Sequence, residues 1–386
     1  MKIKKTSTKL EEKGALESAE YQRAQGYYFF GELDNKAQGQ KERILSRPVQ
    51  SIDLEKINGV EELVEAFGEA SIQARNIGTC AKVWEKMLTD PDRPTICLGL
   101  AGPLVAAGLR KVIRDMIHYG LVDVVVSTGA ILYQDIYQAK GFKHFRGDPD
   151  ADDSQLRDLY IDRIFDTYVD EEKFWRLDCT IGQFANSLKP GKYSSRQFLW
   201  ELGQAIDDEQ SILATAFKRG VPVFAPAIND SSIGIGLTEH FHRCIKEGRP
   251  GISIDSIQDN YELTQIVVQS KVTSAIYIAG GVPKNFINDS VVMSYIFGKD
   301  TGGHRYAFQL TTDVPHWGGL SGSTLSEATS WGKVSKQASH AMAFVEPSVS
   351  LPLVAAYVMK KGLGRRRPAL QMTWDPPKLT SLKPIG

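Results

Sequence analysis

Four cysteines in 386 residues, Cys80, Cys97, Cys179 and Cys244, are too few and too scattered to frame a disulfide-stapled fold. None forms a CxxC pair, so they read as buried, reduced thiols. An excess of charge of one sign is missing as well: 46 Lys+Arg against 46 Asp+Glu leave a formal net charge of zero. Such a chain has no basic field to gather nucleic acid, and no compact module for reading it is present. No apolar run approaches the roughly 18 residues that a membrane span requires. The N-terminal MKIKKTSTKLEEKGALESAE is basic and then acidic, with no apolar h-region. These absences predict a cytoplasmic protein without nucleic-acid or membrane partners.

Short catalytic words are also scarce. The dinucleotide fingerprint GxGxxG is absent, and IGIG (233–236) is too short and opens no strand–turn–helix unit. There is no GxSxG elbow and no P-loop. The seven histidines give no HExxH and no paired spacing with carboxylates. His240 and His242 fall on a predicted helix, where alternate residues face different ways, so no metal is expected.

A rhythm of strand and helix is present instead. TICLGLAG (95–102) is a short apolar run ending in glycine, and PLVAAGLRKVIRDMIHYG (103–120) reads as an amphipathic helix from Pro103 to the stop at Gly120. LVDVVVSTGA (121–130) is a near-continuous valine run, as expected of a strand buried on both faces. VPVFAPAI (221–228), GISID (251–255), SAIYIAGG (274–281), YAFQLTTD (306–313) and HAMAFVEP (340–347) repeat the pattern, mostly with helical segments between. The fold class is therefore α/β: one large Rossmann-like domain whose mostly parallel sheet is covered by helices on both faces.

Around that domain, residues 1–47 read as a polar, helical N-terminal arm, in which YYFFGEL (27–33) should pack against something. Residues 48–363 form the domain itself, interrupted by a charged, aromatic insertion at 140–190. Residues 364–386 form a basic, proline-rich tail expected to lie extended on a surface. Ligands of parallel sheets sit beyond the carboxyl ends of the strands. Those ends read GLAGP, STGA, AIND, AGGVP, TTD and VEP, all small, glycine-rich or acidic.

One lysine stands out beside them, in GGLSGSTLSEATSWGK (318–333). Spacing alone leaves two readings of Lys333: a surface lysine closing a helix, or a nucleophile. The second requires a neutral amine, and an ordinary lysine pKa of about 10.4 forbids that at neutral pH. Apolar walls would lower the value and permit imine formation. Trp331 can supply such a wall or hold a cationic substrate on its ring face. Gly332 lets the backbone turn, and Glu327 can anchor a substrate ammonium.

Read together, these words resemble the deoxyhypusine synthase family, whose covalent lysine ends a Ser-Trp-Gly-Lys sequence. VDVVVSTGA (122–130), VPVFAPAINDSSIG (221–234), AGGVPKNFI (279–287) and VEPSVSLPLVAA (345–356) are similar to other segments of that family, in the same order. The resemblance spans about residues 45–360. It implies an NAD-dependent transfer of the aminobutyl group of spermidine, carried as an imine on Lys333 and passed to an acceptor amine. It also implies that Trp331 lines the methylenes and Glu327 pairs with the terminal ammonium.

The same resemblance assigns NAD contacts to Gly102, Pro103, Leu104, Val105, Ala106, Thr128, Gly129, Ala130, Asp230, Gly280, Thr312, Asp313, Glu346 and Pro347. It assigns substrate contacts to Gly318, Gly319 and Ser321, and implies a homotetramer with sites across a subunit interface.

Four positions depart from the family pattern. Asn285 stands where a histidine base is usual. Gln134 replaces a glutamate, and Ile235 and Leu320 replace aspartates. Each lost acid removes a charge-assisted contact of about 1.5–3 kcal/mol, and an asparagine cannot serve as a general base. The departures favour a small diamine acceptor, putrescine giving homospermidine, over a lysine of the hypusine-bearing translation factor. A third reading, an inactive NAD-binding paralogue, is opposed by the retained Lys333, Trp331 and Glu327.

Overall fold

Short apolar runs become the inner strands of a six-stranded central sheet in the computed structural model, which describes residues 33–385. The strands are β1 (Thr95–Leu100), β2 (Val124–Ser127), β3 (Val223–Phe224), β4 (Thr273–Ile278), β5 (His304–Leu310) and β6 (Val334–Ala343). They lie in the order β6-β5-β4-β1-β2-β3, and every pairing is parallel. The class expected from the sequence, a parallel sheet covered on both faces, is what forms.

Side-chain alternation shows why both faces must be covered. Ile96, Leu98 and Leu100 of β1 enter one apolar core, with Val125 of β2. Cys97 of β1 enters the other, with Val124 and Val126. The first face is closed partly by the helix Ile72–Thr89, whose Trp84 is fully buried and donates its indole N–H to the Leu121 carbonyl at 3.2 Å.

The chain divides into two units, 1–49 and 50–386. In the first, the helix Asn35–Ile44 is capped by Asp34, which accepts the Ala37 N–H. All but the last residue of YYFFGEL lies outside the described residues.

Three expectations change. The helix predicted from Pro103 starts only at Arg110, because Gly102 and Gly108 take φ of +88° and +90° and the chain between them turns. GISID forms a strand, Ile252–Ile254, that leaves the main sheet and pairs with Gly191–Tyr193. It is held there by His240, whose Nε2 accepts the Ile252 N–H at 3.0 Å. The tail is no loose extension but an antiparallel hairpin, Ala369–Asp375 with Lys378–Ile385. Arg367 at its root pairs with buried Asp123, and Trp374 stacks on Arg196 with 3.9 Å between guanidinium carbon and ring centroid.

The charged stretch 140–190 folds as three short antiparallel strands and two helices, with Arg157–Glu171 and Arg163–Asp153 pairs on its surface. Among the described residues no helix is long and apolar enough to cross a membrane.

Candidate functional site

Because all six strands run the same way, the loops after β1, β2, β4, β5 and β6 share one edge of the sheet. The site is built from the loop after β4 and the segment between β5 and β6. Immediately after β4, Ala279 has φ of +58°, an uncommon conformation for a residue with a side chain. Gly280 follows, and a Cβ there would lie 2.5 Å from Ser321 Cα. Glycine is required for the 318–323 loop to close against the strand end.

Helix Gly281–Ile296 then carries Lys284 inward. Its ammonium is buried and donates to Gln309 Oε1 at 2.8 Å, Ser323 O at 2.6 Å and Ser323 Oγ at 3.0 Å, with Leu320 O at 3.2 Å. Burial pushes its pKa down to about 8, opposed by Glu327 and Asp313 and reinforced by Lys333. This lysine fastens the 320–323 turn to the helix.

Next comes the short helix Leu325–Ser330, opened by a capping box. Thr324 Oγ1 accepts the Glu327 N–H at 2.9 Å, and Glu327 Oε2 accepts the Thr324 N–H at 3.3 Å. Trp331 closes the helix, Gly332 turns the chain at φ +70°, and Lys333 leads into β6. The Lys333 backbone is fixed on both sides: its N–H donates to Ala328 O at 3.1 Å, and its carbonyl accepts the His304 N–H at 3.0 Å.

The Lys333 side chain is only 15% exposed. Its Nζ lies 3.2 Å from Asn285 Oδ1 and 3.3 Å from Asp289 Oδ1. Asn285 Nδ2 donates to Asp289 Oδ2 at 2.9 Å, so one helix face presents an amide and a carboxylate at i, i+4 spacing. The expected apolar wall is different from this. Trp331 has its ring centroid 5.4 Å from Nζ, but it is 67% exposed. Shielding comes chiefly from the helix, not from the indole.

Asp289 and Lys284 were not singled out from the sequence. Asp289 stands four residues after Asn285, on the same face of the helix that follows β4.

Most remaining candidates lie in the loops after the strand ends. Gly102 and Pro103 are exposed after β1, while Leu104 and Val105 bury their side chains in the core and Ala106 is half-buried. Gln134 is buried, and its Oε1 accepts the Ala106 N–H at 3.0 Å, so it shapes the loop after β1. Thr128, Gly129 and Ala130 begin the helix after β2, and a Cβ on Gly129 would collide with Ser231. Asp230, Thr312 and Asp313 are exposed in loops. Glu346 caps the helix Pro347–Lys360 by accepting the Ser348 N–H at 2.8 Å. Gly318, at φ +68°, and Gly319 are exposed, and Ser321 sits under Gly280. Ile235 is 56% exposed and Leu320 40%.

Lys333 Nζ is thus a shielded amine held between an amide and a carboxylate of one helix. The family model for deoxyhypusine synthase matches residues 62–358. A "Probable deoxyhypusine synthase 2" of Methanosarcina mazei is 42% identical over 335 residues, covering 86% of this chain and 95% of its own. A "Deoxyhypusine synthase-like protein" of Chlorobaculum tepidum is 44% identical over 337 residues, covering 86% and 94%. A solved structure from Entamoeba histolytica that carries the family name superposes with a TM-score of 0.55 at 19% identity, covering 81% of this chain and 97% of that one, a likeness of fold. The chain belongs to the deoxyhypusine synthase family, a family of transferases.

Proposed function

We propose that this protein transfers the aminobutyl group of spermidine, through an imine on Lys333, to the amine of a small diamine, putrescine, giving homospermidine. One observation carries the reading: Lys333 Nζ is shielded and held within 3.3 Å of Asn285 and Asp289, on the helix that follows β4. Four departures from the family pattern support a small acceptor: Asn285, Gln134, Ile235 and Leu320. Gln134 in particular is engaged with the loop after β1.

NAD is the cofactor of this reading. Gly102, after β1, has open space where a Cβ would sit, which supports close backbone approach to a dinucleotide; Gly129 and Gly280 follow β2 and β4, the strands that flank β1. The groups to hold it are Gly102–Ala106, Thr128–Ala130, Asp230, Gly280, Thr312, Asp313, Glu346 and Pro347. Bound there, NAD would accept a hydride from the carbon beside the secondary nitrogen of spermidine and later return it, leaving no net oxidation.

The chain's own residues do the rest. Lys333 supplies the nitrogen that holds the four-carbon unit while 1,3-diaminopropane leaves and the acceptor arrives. Trp331 offers a ring face to methylenes and ammonium, and Glu327 a carboxylate to the far ammonium. Lys284 keeps the 318–323 loop closed over the site. Trp317, Leu320 and Trp331 are exposed on the lysine segment, and Val282 and Ile296 on the helix facing it. That apolar rim supports a homotetramer whose subunits cover each other's sites. We place the protein in the cytoplasm.

A second reading keeps the chemistry and makes the acceptor a lysine of the hypusine-bearing translation factor; the name of the Methanosarcina relative favours it. Labelled spermidine and NAD, offered with putrescine and with purified factor precursor in parallel, separate the two. Label in homospermidine supports the first, and label in the protein the second. NAD binding with no adduct on Lys333 after borohydride reduction would leave a non-catalytic binder.

A further inference from the structure

We propose that Asp289 is the counter-ion of the lysine imine, the group that keeps its nitrogen protonated and therefore electrophilic. The proposal rests on the reading of Lys333 as the covalent carrier. An alkyl imine is a weak electrophile when neutral and a strong one when protonated, so the carrier needs a negative group against its nitrogen. Asp289 Oδ1 stands 3.3 Å from Nζ, and it is the only carboxylate paired with Lys333 among the described residues. Its second oxygen is held at 2.9 Å by Asn285 Nδ2, which fixes the carboxylate plane toward the lysine. Asn285 Oδ1, at 3.2 Å, accepts a hydrogen bond from the same nitrogen but carries no charge to balance it.

The proton count closes around this pair. The Lys333 ammonium first gives one proton to Asp289, and the neutral amine adds to the iminium carbon of the oxidised polyamine. A second proton moves from the lysine nitrogen to the departing nitrogen, whose bond to that carbon breaks with the electron pair. The freed amine takes the first proton back from Asp289. Lys333 remains as C=N–H⁺ opposite an ionised Asp289, and charge is conserved. The other titratable groups at hand are Lys284 on the same helix, with Glu327 and Asp313 beside it, and the Tyr295 hydroxyl, 3.3 Å from Gly332 O. None of these is paired with Lys333 Nζ.

The test uses full-length protein with spermidine and NAD, without acceptor, from pH 6 to 9.5. Cyanoborohydride reduces only protonated imines, whereas borohydride reduces both forms, and the Lys333 adduct is mapped by mass spectrometry. In Asp289→Asn the borohydride adduct should persist, while the midpoint of cyanoborohydride trapping falls by about 1–3 pH units. Asp289→Glu should restore it, which separates loss of charge from loss of fold. Superimposable cyanoborohydride profiles in wild type and Asp289→Asn would overturn the counter-ion. No borohydride adduct in the wild type would instead overturn the carrier reading, and this one with it.

Discussion

Glu327 turns its carboxylate back onto the amide of Thr324, the residue that caps its own helix, at 3.3 Å. The same side chain therefore caps the start of the helix that delivers Lys333 and, in the proposed function, offers charge to the substrate. Glutamine serves in a capping box as well as glutamate does, so the two roles can be parted. Glu327→Gln should melt close to wild type yet raise KM for spermidine at least tenfold. Glu327→Ala should also lose about 0.5–2 kcal/mol of stability. Thermal melts beside steady-state kinetics measure both.

Lys284 should matter through the loop it fastens. Replacing it with methionine fills the space but leaves the carbonyl of Ser323 and Gln309 Oε1 without their donor, at about 1–3 kcal/mol. Transfer activity should drop at least tenfold as the 318–323 loop opens. A pH signature accompanies this. With the folded pKa lowered to about 8, the native chain binds fewer protons than the unfolded chain from there up to about 10.4. The cost of burying the charge is complete below pH 8 and relieved above it. The stability of wild type relative to Lys284→Met should thus rise between pH 7.5 and 9.5 in urea titrations.

Asp123 is where the tail is anchored. Burial alone would raise its pKa, but the Arg367 and Arg93 guanidiniums hold it below the usual carboxylate range. Its contribution is present above about pH 3.9 and lost as pH falls through the lower folded value. Asp123→Ala, which strands two guanidiniums, should cost roughly 3–5 kcal/mol at pH 7. The gap from wild type should shrink below pH 3.9. Equal urea midpoints at pH 7 would contradict the anchoring role.

Gly280→Ala sets a methyl against Ser321, 2.5 Å from its Cα. The loop must move, so KM for the polyamine should rise several-fold while the far-UV spectrum stays that of wild type. Unchanged kinetics would mean that the loop already stands open.

What could be read in advance divides along physical lines. β1, β2 and β4 are buried on both faces, and a run such as VDVVV has no competing period, so the sheet was legible. Lys333 was singled out because Ser-Trp-Gly-Lys resembles the lysine segment of the family, not through its spacing. The start of the helix after β1 was not, since Pro103 is a good first helical residue and only the backbone angles of Gly102 and Gly108 reveal the turn. The tail hairpin depends on Arg367 finding Asp123, 244 residues away in the chain, a partnership that local pattern does not encode. Asp289 was overlooked for a related reason: a carboxylate on a helix acquires meaning only once its neighbour across the fold is known.

The position of Lys333 also ties chemistry to the rim of the sheet. β6 has a neighbour on one side only, and the lysine stands at its first step, with its carbonyl bound to the opening residue of β5. Fraying of that border would swing the amine away from its helix while the rest of the molecule stayed folded. Whatever clasps the outer strand therefore governs how long the Lys333 amine stays aimed at Asn285 and Asp289.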